Sequence, residues 1–510
     1  MRSWGAAGLR GTVVAVGCLL ICVAAPRLPV AVGAEASQEA NTVYVRKIVT
    51  DPSEILTEAE IREMVGEYED RNLTIDELRA IVERINALYA ERGYVTAQAF
   101  LPPQTVEDGI VHITLIEGRV GEVAVVGNNS THSSYVTRRM SLRSGDLVRL
   151  DTLEADIARF NETNDVQLHA QLKPGESFGT TDINFVLYEP PRFAGTLSFG
   201  NSGRSETGMA QSGITLTNRS LFGRRDAFDL TWRQAEGSRS LSLAYEFPVG
   251  LMGSRMSARY DQSEVGIFNG AFAELDVGSK SYGAGIGWRR PLVLEPGARV
   301  DGFAEFQDTR LISYFSGAKL TSSHTQRMSL GFVSQKSSER SSLETQYTVA
   351  YGRYAEEEED EQQFLRYNAS VTYQSFPSER WTLRFRVNVQ ISPDRLLPPS
   401  EQFSVGGGAT VRGYSSGTIT GDQGYFVSAD ATAHLASWLN GFVFLDHGAA
   451  YPYKGKSKSS SSVKSITSTG VGFTFAFLQR FVGTVVYGIP LGDDGSGASG
   501  TLHFHVEMRF

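Results

Sequence analysis

The sequence predicts a membrane β-barrel of about sixteen antiparallel strands, preceded by two small α+β modules. Amphipathic runs of strand length recur from Phe193 to Phe510, at roughly 20 residues per strand with its connection, and an even strand number is what a closed bacterial barrel requires. The last run is the clearest. It places Leu502, Phe504, Val506, Met508 and Phe510 on one face and polar residues between them, because successive side chains of a strand point to opposite faces. Its length fits the roughly 9–11 residues with which a tilted strand crosses a bilayer. Composition agrees: 52 glycines, 10% aromatic residues and a mean hydropathy of −0.19 are too polar for a helical membrane protein. They suit a barrel with a polar inside and an aromatic outside. The net charge of −9 argues against a nucleic-acid binder.

Residues 1–34 read as a signal peptide. Arg2 and Arg10 are its positive charges, Thr12–Ala25 is apolar, and cleavage is expected near Ala34. The apolar run is shorter than the 18 or more residues of a spanning helix, and no later run reaches that length. Cys18 and Cys22 are the only cysteines, so the mature chain would have no disulfide and no thiolate metal site. Lipidation of Cys18 is not expected, since the apolar stretch ahead of it is short.

The first module is expected over residues 43–118. Thr57 with Glu60 forms a capping box ahead of Ile61, Val65 and Tyr68. A second box, Thr74 with Glu77, precedes Leu78, Ile81, Val82, Ile85, Leu88 and Tyr89. Gly93 supplies a left-handed stop, and strands are expected at Val95–Leu101 and Ile110–Ile116. A weaker copy spans residues 119–191. It has strands at Val120–Val126, Val166–Leu172 and Thr181–Leu187, a helix around Tyr135–Ser141, and another capped by Asp151 with Glu154. Pro190-Pro191 ends it.

Residues 193–510 carry the barrel. In Trp381–Ile391 the apolar set Trp381, Leu383, Phe385, Val387, Val389 and Ile391 alternates with Thr382, Arg384, Arg386, Asn388 and Gln390. Both arginines must face water, because Arg at the bilayer midplane costs roughly 2–4 kcal/mol. Short turns are expected at Pro248–Gly253, Ser375–Arg380 and Leu478–Gln479, and longer outer loops at Gly266–Val277, Leu311–His324 and Tyr451–Ser465. The acidic run Glu356–Glu361 and the basic, serine-rich run Lys454–Lys464 read as solvated loop tips. An open sheet edge in lipid would leave backbone groups unpaired, so the barrel must close. Phe510 is read as its C-terminal signal.

The longest connection, residues 392–424, contains Gly406-Gly407-Gly408-Ala409-Thr410-Val411-Arg412-Gly413-Tyr414. A connection this long is either functional or disordered, and this one has the form of a defined turn presenting one cation. Further on, Phe444, Asp446 and Gly448 share one strand face, while Val443 and Leu445 take the lipid face. Asp446 should therefore point into the lumen.

Val411-Arg412-Gly413-Tyr414 together with Phe444-x-Asp446-x-Gly448 resembles the two signature motifs of two-partner secretion transporters. These are the haemolysin and filamentous-adhesin secretors of the POTRA-containing outer-membrane assembly superfamily. Gly195–Gly203 and Leu221-Phe222-Gly223 also look like the start of that family's barrel. The resemblance covers nearly the whole mature chain. It implies an outer-membrane pore whose two periplasmic POTRA domains capture an unfolded exoprotein, a large secreted β-helical haemolysin, adhesin or toxin. With no nucleotide motif in the chain, folding of the exoprotein outside would draw it through. The long loop would fold back into the barrel and pair Arg412 with Asp446, with Gly413 permitting the turn and Tyr414 packing on the wall. The pair would either position the loop or gate the pore, and both roles predict loss of secretion on mutation. Members of this family often begin with a pore-plugging helix. Few residues lie between Ala34 and Val43, so none is expected here.

No catalytic residue, metal site or cofactor is expected. A barrel hydrolase would have to use His503 and His505, which lie on the polar face without a serine partner, and neither it nor a porin needs POTRA domains. The nearest alternative is an outer-membrane insertion and assembly factor of the same superfamily, but such proteins resemble chains with three or more POTRA units.

Overall fold

The computed structural model describes residues 42–270, 273–357, 360–393, 397–451, 464–492 and 500–510. The expected signal peptide, the region of a plug helix and most of the basic run Lys454–Lys464 lie outside the described residues. Two compact units emerge: one of Met1–Glu122, Ser144–Asp151 and Pro174–Asp182, the other of Val123–Arg143, Thr152–Lys173 and Ile183–Phe510.

In the first unit, helices Glu58–Val65 and Ile75–Glu91 each begin at a complete capping box, Thr57/Glu60 and Thr74/Glu77. Each box satisfies backbone N–H groups that a helix start leaves orphaned. The Glu60 carboxyl is lowered from its ordinary 4.5 to about 2, first by the Thr57 backbone N–H and then by the Thr57 hydroxyl and Arg92. Gly93 follows the second helix at φ +82°. Ile81, Ile85 and Tyr89 on its inner face are fully buried with Val45, Leu73, Val111 and Ile113, and burial pushes the Tyr89 phenol up to about 12. Strand Lys47–Thr50 pairs in parallel with Ile110–Ile116, which also pairs antiparallel with Gln98–Phe100. A strand the hydrophobic pattern does not announce, Arg71–Thr74, pairs with Thr42–Val45. It is short and half polar, so periodicity has little to read.

The next module orders its strands Arg119–Val126, Thr180–Tyr188, Gln167–Pro174. Its helix Leu150–Thr163 contains Asp151 in the first turn, where an acid favours the helix dipole, rather than before it as a cap. The helix expected at Tyr135–Ser141 is the shorter Ser133–Thr137.

The barrel closes with sixteen antiparallel strands, each bonded to its neighbours in sequence order. The last strand, Thr501–Arg509, pairs with the first, Phe193–Gly200. Phe510 continues that seam through reciprocal backbone bonds with Gly195, at 2.7 and 2.9 Å. Alternation sorts the faces: Val443 and Leu445 are each 54% exposed on the outer wall, whereas Phe444 and Asp446 between them are 3% and 0% exposed.

The loop lengths differ from expectation in one place. Strands Ala298–Phe315 and Ala318–Ser337 absorb most of Leu311–His324, leaving the turn Ser316-Gly317. These strands have 18 and 20 residues, more than a bilayer needs, so both run on as paired strand beyond the length that crossing lipid requires.

A loop held inside the barrel by buried charge

The connection between Trp381–Ile391 and Gln423–Ala436 folds as a hairpin. Phe403–Val405 pairs antiparallel with Ile419–Gly421, and the Gly406–Thr418 segment forms its tip. Residues 394–396 lie outside the described residues. Val405, Val411, Tyr414 and Ile419 of the loop form a buried apolar cluster with Phe426, Ala450 and Ile466 of the wall. Gly448 is small for a reason that can be measured: a Cβ there would fall 2.5 Å from Val405 and 3.2 Å from Val411. The wall is thinned where the loop lies against it.

Arg412 sits at the tip and is 4% exposed. Its Nε donates to Asp446 Oδ2 and its Nη2 to Asp446 Oδ1, both at 2.7 Å. Nη2 also donates to Asp430 Oδ1 at 2.6 Å and to Ser428 Oγ at 3.2 Å, and the Arg412 backbone N–H donates to Asp446 Oδ2 at 3.1 Å. The guanidinium lies 3.7 Å above the Phe444 ring centroid. A planar fork on a carboxylate with an aromatic face beneath it is geometry that lysine cannot reproduce.

Strand register assembles this cluster. Arg384 lies opposite Asp430 and Arg386 opposite Ser428, while Ser428 lies opposite Asp446 and Asp430 opposite Phe444. Three adjacent strands thus present one polar layer on the inner face, and Arg384 Nη2 holds the second Asp430 oxygen at 2.9 Å. Gly413 has φ +97°, and a Cβ there would come 2.8 Å from the Gly488 carbonyl carbon. Its N–H donates to His503 Nε2 at 3.3 Å, and its carbonyl accepts from Thr501 Oγ1 at 2.9 Å. The Tyr414 hydroxyl donates to the Thr467 carbonyl at 3.1 Å.

All the residues named from the two motifs therefore meet at one place, while Phe510, named separately as the C-terminal signal, belongs to the seam. The sequence does not announce Asp430 or Ser428, and it marks Arg384 as water-facing without linking it to the loop. The available signal was an isolated acid on the inner face of the alanine-rich strand around Ser428-Ala429-Asp430-Ala431. It also assigned no role to His503, which contacts the loop tip. His505 faces Glu507 at 3.2 Å and is not part of the cluster. Groups of three or more His, Cys, Asp or Glu able to hold a metal do not occur among the described residues.

Residues 179–475 match the family model for "Haemolysin secretion/activation protein ShlB/FhaC/HecB". The chain belongs to that haemolysin secretion/activation family. Residues 43–118 match the "POTRA domain, ShlB-type" model. The Heme/hemopexin transporter protein HuxB of Haemophilus influenzae is 22% identical over 477 residues, 87% of this chain and 82% of that protein. The Outer membrane transporter CdiB of Dickeya dadantii is 23% identical over 403 residues, 75% and 71% of the two chains. A solved structure of CdiB from Escherichia coli aligns with a TM-score of 0.65 at 20% identity, covering 94% of this chain and 93% of that one. It shows the same fold. This member of the family is an outer-membrane transporter of two-partner secretion, with its POTRA region in the periplasm.

Proposed function

We propose that this transporter takes an unfolded exoprotein from the periplasm and passes it through its own barrel. The cargo is a large secreted β-helical protein, a haemolysin, adhesin or toxin. The module at 119–191 acts as a second POTRA domain beside the one at 43–118. Strands Lys47–Thr50 and Gln98–Phe100 lie at the edges of their three-stranded sheet, as do Arg119–Val126 and Gln167–Pro174 of theirs. Such edges receive an extended chain by β-augmentation, which reads backbone rather than side chain and so tolerates a long, varied cargo. The process has no catalytic step and no cofactor.

The observation that carries this reading is the loop seated in the lumen by the buried charge of Arg412. A passive pore has no use for a buried ionic cluster, which costs several kcal/mol of desolvation per ion before its contacts offset it. A loop that must hold one position against a transiting chain does. In this reading Val411, Arg412, Gly413 and Tyr414 set the loop, and Phe444, Asp446 and Gly448 are its seat.

The test compares proteins in the medium and outer membrane of wild-type cells, a deletion strain and a complemented strain. Loss and recovery of one large exoprotein supports secretion. A joint drop of many outer-membrane barrels, with no exoprotein lost, would instead identify an assembly factor.

A further inference from the structure

The tip cluster accounts for one end of the loop. A second ionic group lies at its root, outside both motifs. Glu401 closes the short helical turn Pro399–Glu401 and is 5% exposed. Arg327 Nη1 donates to its Oε1 at 2.9 Å and its Oε2 at 3.1 Å, and Arg366 Nη1 approaches Oε2 at 2.7 Å. The Glu401 carbonyl accepts from Gln390 Nε2 at 2.9 Å and from Arg366 Nη1 at 3.2 Å. Gln390 Nε2 also reaches the Asp422 carbonyl at 3.2 Å, and Asp422 Oδ1 accepts from the Leu397 N–H at 2.8 Å. Both legs of the loop are thus tied to each other and to the wall.

Arg327, Arg366 and Gln390 come from three strands, Ala318–Ser337, Gln362–Ser378 and Trp381–Ile391. Asp430, Asp446, Thr467 and Thr501, which hold the tip, come from strands further along the barrel, and of the root's three strands only Trp381–Ile391 also reaches the tip cluster, through Arg384. Among the described residues, the ion pairs of Glu401 and those of Arg412 have no member in common. Their charge balance also differs. Two partly buried arginines, with side chains 20% and 16% exposed, converge on one carboxylate at the root, so removing Glu401 leaves two cations facing each other without a counter-charge. A flooded lumen would hydrate them, and a closed lumen would not.

We propose that Glu401 is a second latch, which keeps the loop inside the barrel independently of Arg412 and whose release accompanies opening. Glu401 acts here as a positioning residue, and the proposal rests on the reading of this loop as one seated in the lumen of a secretion pore, in the path of its cargo. While the root stays latched, breaking the tip frees only the tip. Opening the lumen requires the root to let go. The paired arginines favour the wet, open state once the carboxylate has moved away.

The experiment uses the full-length protein in planar lipid bilayers, with heat-modifiable migration as the check on barrel folding and secretion followed in parallel in cells. Glu401→Gln keeps the shape and removes the charge. It is expected to migrate as wild type and to raise open probability about tenfold or more. Neutralising the arginines in the same background (Arg327→Gln with Arg366→Gln) should lower open probability again, because no stranded cations remain. A loss of packing alone would not be rescued in this way. A folded Glu401→Gln channel with wild-type open probability overturns the latch. Should that variant fail to fold, Glu401→Asp and Arg366→Gln singly carry the test: a rise in open probability supports the latch and no change overturns it. Opening without loss of secretion leaves the latch standing and removes the loop's role in export. Wild-type cells that export no exoprotein would overturn the functional reading itself, while the bilayer result still decides the latch.

Discussion

Arg412 and Asp446 meet fork to fork, through two hydrogen bonds of 2.7 Å. The aspartate has no exposed surface, so its charge depends on the loop for compensation. Replacing Arg412 with Ala leaves Asp446 buried and unpaired, at a cost of roughly 3–5 kcal/mol in loop seating. Arg412→Lys should fall between, since one ammonium replaces a fork and loses its stacking on Phe444. Secretion measured with the barrel's heat-modifiable migration held constant should rank wild type above Lys above Ala.

Gly413 is constrained by its backbone and by its neighbour. At φ +97° an alanine is strained by about 1–3 kcal/mol, and its Cβ would fall 2.8 Å from the Gly488 carbonyl carbon. Gly413→Ala should unseat the tip although it alters no charge. Protease added to intact cells should then cleave within residues 406–418, which are protected in wild type.

Arg225 is fully buried and pairs with Asp165 through Nε at 2.8 Å and Nη2 at 2.5 Å. The same turn binds the module again where Ser220 Oγ donates to the Ser130 carbonyl at 2.7 Å and the His132 N–H to the Gly223 carbonyl at 2.8 Å. Leu221-Phe222-Gly223, which the sequence marks only as a motif, is therefore a mount. Arg225→Met should weaken it by about 2 kcal/mol, less than for a fully buried pair because the Asp165 side chain is 36% exposed. Hydrogen exchange in detergent should speed up at Ser130–Thr137 with barrel strands unaffected.

Glu60 makes the first helix of the POTRA domain pH-sensitive. Its folded pKa of about 2 lies below the ordinary 4.5, so its stabilising effect is fully present above the unfolded value and is lost as pH falls toward about 2. Denaturant midpoints of the domain, followed from about pH 6 down to about pH 2, should fall over that window. Glu60→Gln should flatten that part of the decline.

The barrel was readable because a strand between lipid and water must alternate, and alternation survives in a single sequence. The capping boxes at Thr57 and Thr74 were readable because each joins two residue types at fixed spacing. Arg412 and Asp446 could be named from their motifs and from strand parity. Asp430, Glu401 and the partner of the inward Arg384 could not, because what places them is the register of strands far apart in the chain. Arg327 and Arg366 look like any other inward arginines until Glu401 lies between them. The strand Arg71–Thr74 carries too little hydrophobic pattern to announce itself, and Leu311–His324 reads as a loop because its strands extend well beyond the length a bilayer requires.

Passage of cargo through this barrel can be read at its wall. Ser242 faces the lumen, where it donates to Asp261 at 2.6 Å and lines a polar recess with Arg233 and Arg259. Leu243, next in the chain, takes the lipid side. A photo-crosslinker placed at each position in actively secreting cells tests the path directly. An exoprotein adduct is expected at Ser242 and none at Leu243. Normal secretion with no adduct at Ser242, or with an adduct only at Leu243, would contradict it.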